Sequence, residues 1–138
     1  MIRKSKVLAY IFRENEGVRE LLVFDHRDYP NVNPQVPAGT VESDESLEEA
    51  VLREVYEESG VELEVEPSYL GSYDYQHDEK YQLHQRHVYS FNVSGLPSNW
   101  EHRISEGQED KGLIFDFYWI AIDEAREALV ADMGKYLP

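Results

Sequence analysis

Arg53, Glu54, Glu57 and Glu58 stand in the run REVYEE, inside a stretch that reads as one amphipathic helix. At about 100° per residue, Glu54 lies at 0°, Glu57 near 300° and Glu58 near 40°, so their carboxylates share an arc of roughly 100°. Like charges so placed repel by a few tenths of a kcal/mol per pair. A divalent cation, which prefers hard oxygen donors, turns that cost into a site. The chemistry available to such a site is polarisation of a bound oxygen and activation of water.

The helix that must carry these residues has clear ends. Ser46 with Glu49 three positions later is a capping-box pattern, and Asp44 and Glu45 suit the positive end of the helix dipole. Leu47, Ala50, Val51 and Val55 recur at helical spacing as the buried stripe, and Gly60 follows where a left-handed residue ends a helix. Glu54 and Glu58 fall on the border of that stripe, closer to the core than a purely structural helix keeps its carboxylates.

Around the helix the chain reads mostly as strands. Residues 6–13 and 18–25 are apolar runs joined by a turn containing Asn15 and Gly17, which predicts a hairpin in a sheet covered on both faces. Residues 26–37 hold three prolines and read as a loop. Residues 61–65 and 69–75 read as strands, and residues 77–80 as a turn. Residues 81–93 alternate cleanly, with Leu83, His87, Tyr89 and Phe91 on one face and His84, Arg86 and Val88 on the other. Residues 94–112 read as a long loop, 113–120 as a last strand, and 123–132 as a closing helix capped by Asp123. Strands and helices in this order suit an α/β fold, a mixed sheet with helices on both sides. The 138 residues are expected to form a single domain, 1–138.

Composition narrows the function. The formal net charge of −15 disfavours long nucleic acids, which need a cationic footprint. An anionic small molecule can still bind if a metal ion supplies counter-charge. In so acidic a chain any single carboxylate is by default solvated surface, and only arrangement raises one above that. No apolar run reaches the ~18 to 20 residues of a membrane span, and the first residues read as a strand rather than a signal peptide. With no cysteine there is no thiolate ligand, thiol nucleophile or disulfide. A cytoplasmic protein, monomer or homodimer, is the expectation. Arg27 in the proline-rich loop, and Arg86 and His87 on the long strand, are candidate substrate contacts; a packed or surface role is the plainer account of each.

The full spacing, from Gly39 through Glu45, Arg53-Glu54, Val55, Glu57-Glu58 and Gly60 to Val61, resembles the complete signature of the Nudix hydrolase family. The resemblance implies an α/β/α sandwich around a mixed sheet. It implies hydrolysis of a pyrophosphate bond in a nucleoside diphosphate linked to another moiety (a nucleotide, sugar nucleotide or dinucleoside polyphosphate), by water attack on phosphorus. Mg2+ is the implied cofactor, with Mn2+ as an alternative. By the same resemblance Glu54, Glu57 and Glu58 are metal ligands, joined by a backbone carbonyl at Ala38 or Gly39. Arg53 steadies Glu57, and Glu45 supports the loop against the helix. Glu57 is the favoured general base, with Glu106 second and Glu109 and Asp110 as competitors from the same loop. Ala38 and Asp44 stand where many members have glycine, which touches loop conformation and removes no ligand. The alternative is a non-catalytic Nudix domain acting as a nucleotide sensor or interaction module, although such domains commonly lose the glutamates this chain keeps. Relatives that isomerise isopentenyl diphosphate use a cysteine, which this chain lacks.

Overall fold

The computed structural model describes residues 1–32, 34–107 and 109–138. Strand β1 (Ile2–Asn15) runs through the middle of the sheet. Its residues 7–12 are all buried, with Val7, Ala9 and Ile11 in one core and Leu8, Tyr10 and Phe12 in another. Such two-sided burial is what turns a half-polar alternation into a continuous apolar run. Strand β2 (Val18–His26) returns antiparallel through a turn in which Glu16 and Gly17 take φ of 52° and 80°. That left-handed pair matches the twist of a two-residue hairpin.

The chain continues as β3 (Ala38–Thr40), α1 (Leu47–Ser59), β4 (Ser68–His77), β5 (Gln82–Asn92), β6 (Asn99–Arg103), β7 (Ile114–Ala121) and α2 (Ile122–Ala128). The sheet order is β4-β5-β1-β2-β7-β6, with β3 also on β1. Only the β1–β5 pairing is parallel among the described strands, so the sheet is mixed. Helix α1 buries Ala50, Val51 and Val55 on the Val7 side, and α2 buries Ala125 on the Leu8 side. The expected α/β layering, helices on both faces of a mixed sheet, is the observed one.

One strand edge does two jobs. Residues 12–15 of β1 pair with β2, whereas residues 6–8 pair with β3. Between them the chain wedges in at Gln35 and Pro37: Phe24 and Gln35 exchange backbone hydrogen bonds of 2.9 and 3.0 Å, and Ala9 N donates to Pro37 O at 2.9 Å. The wedge carries β3 back beneath α1.

Three expectations change. Residues 61–65 form no strand; Val61 and Leu63 pack on the α1-side core from an irregular segment. Alternation reports which side chains are covered, not whether the backbone meets a partner edge. Residues 94–112 contain β6, whose NWEHR sequence is poor in β-branched residues and so hides the strand. Pairing to β7 and the stacking of Trp100 on Phe117 (centroids 5.1 Å apart, planes at 11°) hold it in place. Helix α2 ends at Ala128, and its N-cap is Ala121; Asp123 lies in the first turn instead.

Past α2 the chain lies over the second core as a strap. Tyr10 Oη donates to Met133 O (2.5 Å), Tyr73 Oη to Asp132 O (2.6 Å) and Tyr136 Oη to Ser72 O (2.7 Å). Arg86, 6% exposed, donates to Ala131 O and to Tyr73 Oη (3.1 Å), with its guanidinium 3.9 Å from the centre of the Tyr75 ring. Arg86→Met therefore leaves buried acceptors without a donor. It is expected to cost about 1–3 kcal/mol of stability, read as a lower urea midpoint. An unchanged midpoint would mean that the strap does not depend on Arg86.

Candidate active site

The signature helix is fixed at both ends. Ser46 Oγ accepts from Glu49 N (3.1 Å) while Glu49 Oε1 accepts from Ser46 N (2.8 Å), closing the capping box. Gly60, at φ 77°, donates its N–H to Tyr56 O at 2.8 Å. Strand β6 then meets the last turn: Trp100 Nε1 donates to Ser59 O (2.9 Å), and His102 Nε2 lies 3.1 Å from Glu57 O. These contacts satisfy carbonyls that a helix end otherwise leaves to solvent, and they hold the turn bearing Glu57 and Glu58.

Arg53 is the hub of the acidic cluster. Its Nε and Nη2 fork onto Glu45 at 3.0 and 2.6 Å, and Nη2 also donates to Thr40 O at 2.9 Å. Its Nη1 reaches Glu54 Oε1 at 2.9 Å and Glu57 Oε1 at 3.1 Å. The fork thus goes to Glu45 rather than to Glu57, because Glu45 sits where a planar guanidinium meets both carboxylate oxygens. Glu45 in turn accepts from Glu42 N at 2.9 Å, which ties the entry loop to the helix. The Arg53 hydrogen bond holds the Glu45 carboxyl below its ordinary range.

Glu54 and Glu58 behave differently. Burial pushes the Glu54 carboxyl up to about 7, against the pull of Arg53. Glu58 is 7% exposed and pushed well above its ordinary value, first by burial and then by the Glu54 charge; its Oε1 accepts from Ala38 N at 2.9 Å. Gly39 lies hard against this pair: a Cβ there would stand 2.0 Å from the Glu54 carboxyl carbon. Only glycine lets the β3 backbone approach so closely. Gly107 does the same for Glu57, with a Cβ position 2.6 Å from Oε1.

A cavity of about 340 Å³ opens above these groups. Glu54, Glu57, Glu58 and Arg53 line it from α1, Glu106, Glu109 and Asp110 from the loop after β6, and Lys4, Lys6, Lys80 and Gln82 from β1, the β4–β5 connection and the start of β5. Burial raises the Asp110 carboxyl above its ordinary range. A smaller cavity of about 140 Å³ beside it is lined by Ala38, Gly39, Glu58, His84 and Arg86, among others. Of the residues proposed as substrate contacts, Arg27 lines neither cavity; it pairs with Asp116 (2.6 Å) and Glu101 (2.7 Å) on the surface. His87 lines neither as well, its Nδ1 lying 3.0 Å from Tyr69 Oη. Arg86 reaches the smaller cavity, but its guanidinium serves the C-terminal strap. The lysine wall escaped the sequence reading. Lys4 and Lys6 share a strand face, but Lys80 joins them only through the parallel register that sets Ile2 opposite Gln82 and Lys4 opposite His84.

The donor chemistry suits a hard divalent ion, since Glu54, Glu57 and Glu58 offer carboxylate oxygen to the cavity from α1. The β3 backbone at Gly39 approaches the Glu54 carboxyl closely. Among the described residues, however, no three acidic or imidazole side chains already converge as a ligand set. Arg53 stands between Glu54 and Glu57 and holds both.

Comparison with known proteins agrees with this geometry. The NUDIX domain family matches residues 2–138. The mouse diphosphoinositol polyphosphate phosphohydrolase 3-alpha is 31% identical over 126 residues, covering 91% of this chain and 69% of that protein. Among solved structures, the NUDIX domain of Shewanella oneidensis NrtR complexed with ADP ribose superposes with a TM-score of 0.72 at 18% identity, over 98% of this chain and 84% of that one. A C. elegans Ap4A hydrolase gives 0.64 at 18% identity, over 96% and 91%. The chain belongs to the Nudix hydrolase family, an enzyme of the pyrophosphate-hydrolysing class.

Proposed function

We propose that this chain cleaves the pyrophosphate bond of a small phosphorylated molecule with the help of a divalent metal ion, magnesium in the first instance. The observation that carries the reading is the burial of Glu54 and Glu58 against the Gly39 backbone. Desolvation pushes both carboxyls toward the neutral form, and ionising the two of them so close together is costly unless a cation binds there. Glu54, Glu58 and the carbonyl of Ala38 or Gly39 would hold the ion, with Glu57 at its edge. A divalent ion so bound neutralises diphosphate charge and lowers the pKa of its water. Glu57 accepts the proton of the attacking water, and Arg53 keeps that carboxylate aimed while holding Glu45 and the entry loop in place. Glu106 faces the same cavity and is the second candidate for the base. The substrates open to this reading are nucleoside diphosphates linked to another moiety and the diphosphoinositol polyphosphates in the mouse relative's name.

The direct test is to incubate the protein with magnesium and a panel of sugar nucleotides, dinucleoside polyphosphates, nucleoside triphosphates and diphosphoinositol phosphates, resolving products by chromatography. Cleavage between two phosphorus atoms is expected in at least one of them, and a panel left intact would overturn the proposal. Glu57→Gln beside Glu106→Gln separates the two bases. The larger loss of kcat is expected at Glu57, and the reverse order would move the role to the loop.

Metal binding should also depend on pH in a stated direction. Glu54 titrates near 7 in the folded protein against about 4.3 in an open chain, so between those values the metal-free fold binds the extra proton. Lowering pH through that window therefore stabilises the metal-free protein at this group. Magnesium needs the ionised form, so the gain in Tm on adding it should be large near pH 8 and shrink as pH falls through about 7. A gain that stays flat down to pH 5.5 would remove Glu54 from the metal site.

A further inference from the structure

The cavity has two walls of opposite charge. Helix α1 and the loop after β6 supply the acids, while Lys4, Lys6 and Lys80 face the cavity from β1 and the β4–β5 connection. The chain has 13 lysines and arginines against 28 acids, so a gathering of three lysines is not a compositional accident of a basic surface. Among the described residues none of the three makes an ion pair; Lys6 Nζ donates only to Thr40 Oγ1, at 2.6 Å. Burial lowers the Lys6 ammonium first; Glu109 and Glu54 across the cavity pull it back up, while Lys80 and Lys4 add to the depression. Gln82 completes the wall: its Oε1 is taken by His84 Nε2 at 2.8 Å, which leaves its amide N–H groups for the cavity. His84 itself is driven down to about 4 by burial and by the surrounding cations Lys6, Arg86 and Lys80, so it stays neutral. Among the described residues lining the cavity none is aromatic, so no side chain there offers a face for stacking a nucleobase.

We propose that this lysine wall is a second anion subsite, which binds a phosphate group of the substrate other than the two joined by the scissile bond. The preferred substrate is then a diphosphate with further phosphate close by, selected by charge rather than by a base. Lys6, anchored on Thr40, stands between the two walls; Lys4 and Lys80 reach in from the rim as flexible point charges. A cavity of about 340 Å³ lies at the small end of ligand sites, which suits a compact polyanion better than an extended dinucleotide. The proposal rests on the pyrophosphatase reading for its catalytic half and on the lysines alone for its binding half.

The experiment separates the two halves. Lys4 and Lys80 are exposed, so Lys4→Ala/Lys80→Ala is expected to fold. Inositol hexakisphosphate, which has no pyrophosphate bond, is titrated calorimetrically into wild type and the double variant, with inorganic phosphate as the weak reference. The wild type should bind it with an affinity that falls steeply with salt, and the double variant at least tenfold more weakly. Equal binding by both proteins, or none by wild type, overturns the subsite, whatever the enzyme cleaves. In parallel, kcat/KM is measured for diphosphoinositol pentakisphosphate and for ADP-ribose. The double variant should lose at least tenfold more on the first than on the second, chiefly through KM. An equal loss on both assigns the lysines to general charge balance and overturns the selectivity. If binding behaves as expected and nothing is cleaved, the subsite stands and the hydrolase reading fails.

Discussion

Glu58→Gln should abolish turnover while leaving the fold intact. Glu58 is buried, and desolvation and then the Glu54 charge push its carboxyl toward the neutral form in the metal-free protein. Gln reproduces the shape of a neutral carboxyl and keeps an oxygen for the 2.9 Å hydrogen bond from Ala38 N. The metal-free variant should thus match or exceed wild-type stability, the more so as pH rises and the native carboxyl is forced toward its charged form. The ion loses a charged ligand, however, and charge stabilisation by a catalytic metal is worth several kcal/mol. A fall in kcat/KM of about 10³-fold or more is expected. Thermal unfolding without metal and steady-state kinetics with magnesium make the pair of measurements. A variant that lost both stability and activity would make Glu58 a structural residue, and one that kept its activity would remove it from the site.

Gly39→Ala tests the same corner from the other side. The new Cβ would fall 2.0 Å from the Glu54 carboxyl carbon, far inside contact distance. What it meets is the end of a flexible side chain, so Glu54 can swing aside, giving up its 2.9 Å hydrogen bond from Arg53 at a cost of about 1–3 kcal/mol. The displaced carboxylate can no longer reach the ion as before. Misplacement of a reacting group by about 1 Å is enough to cost roughly 10²-fold in rate. Activity should therefore fall by that order with only a modest drop in Tm, and the magnesium concentration for half-maximal activity should rise. Unchanged kinetics would show that close packing of Gly39 on Glu54 has no catalytic role. A collapse of Tm would place the importance of Gly39 in folding alone.

The chemistry-bearing helix was legible because its signals are local. The capping box at Ser46 and Glu49, the apolar stripe through Ala50, Val51 and Val55, and the left-handed Gly60 all act within one or two turns. The β1–β2 hairpin was readable for the same reason. What the sequence hid is what depends on long-range register. Lys80 reaches the wall of Lys4 and Lys6 only through parallel pairing of β1 and β5, strands about 80 positions apart. Arg86 looked like a phosphate contact on a strand face; the strap that claims its guanidinium comes from the last ten residues of the chain. Strand β6 carries neither branching nor alternation strong enough to announce it, and its place is secured by Trp100 stacking on Phe117 and by the carbonyls at the end of α1. Arg53 is an intermediate case. Its spacing to Glu57 was evident, whereas the stronger fork onto Glu45 required the entry loop to fold back.

The most direct test of a metal-dependent site at Glu54 and Glu58 is turnover of one cleavable substrate as a function of free magnesium, in wild type and in Glu58→Gln, with products followed by phosphorus NMR. No signal is expected in chelator, a saturable rise with magnesium in wild type, and no comparable rise in the variant at any concentration that wild type needs. Wild-type turnover that persists in chelator, or equal saturation curves for the two proteins, would contradict a metal-dependent site there.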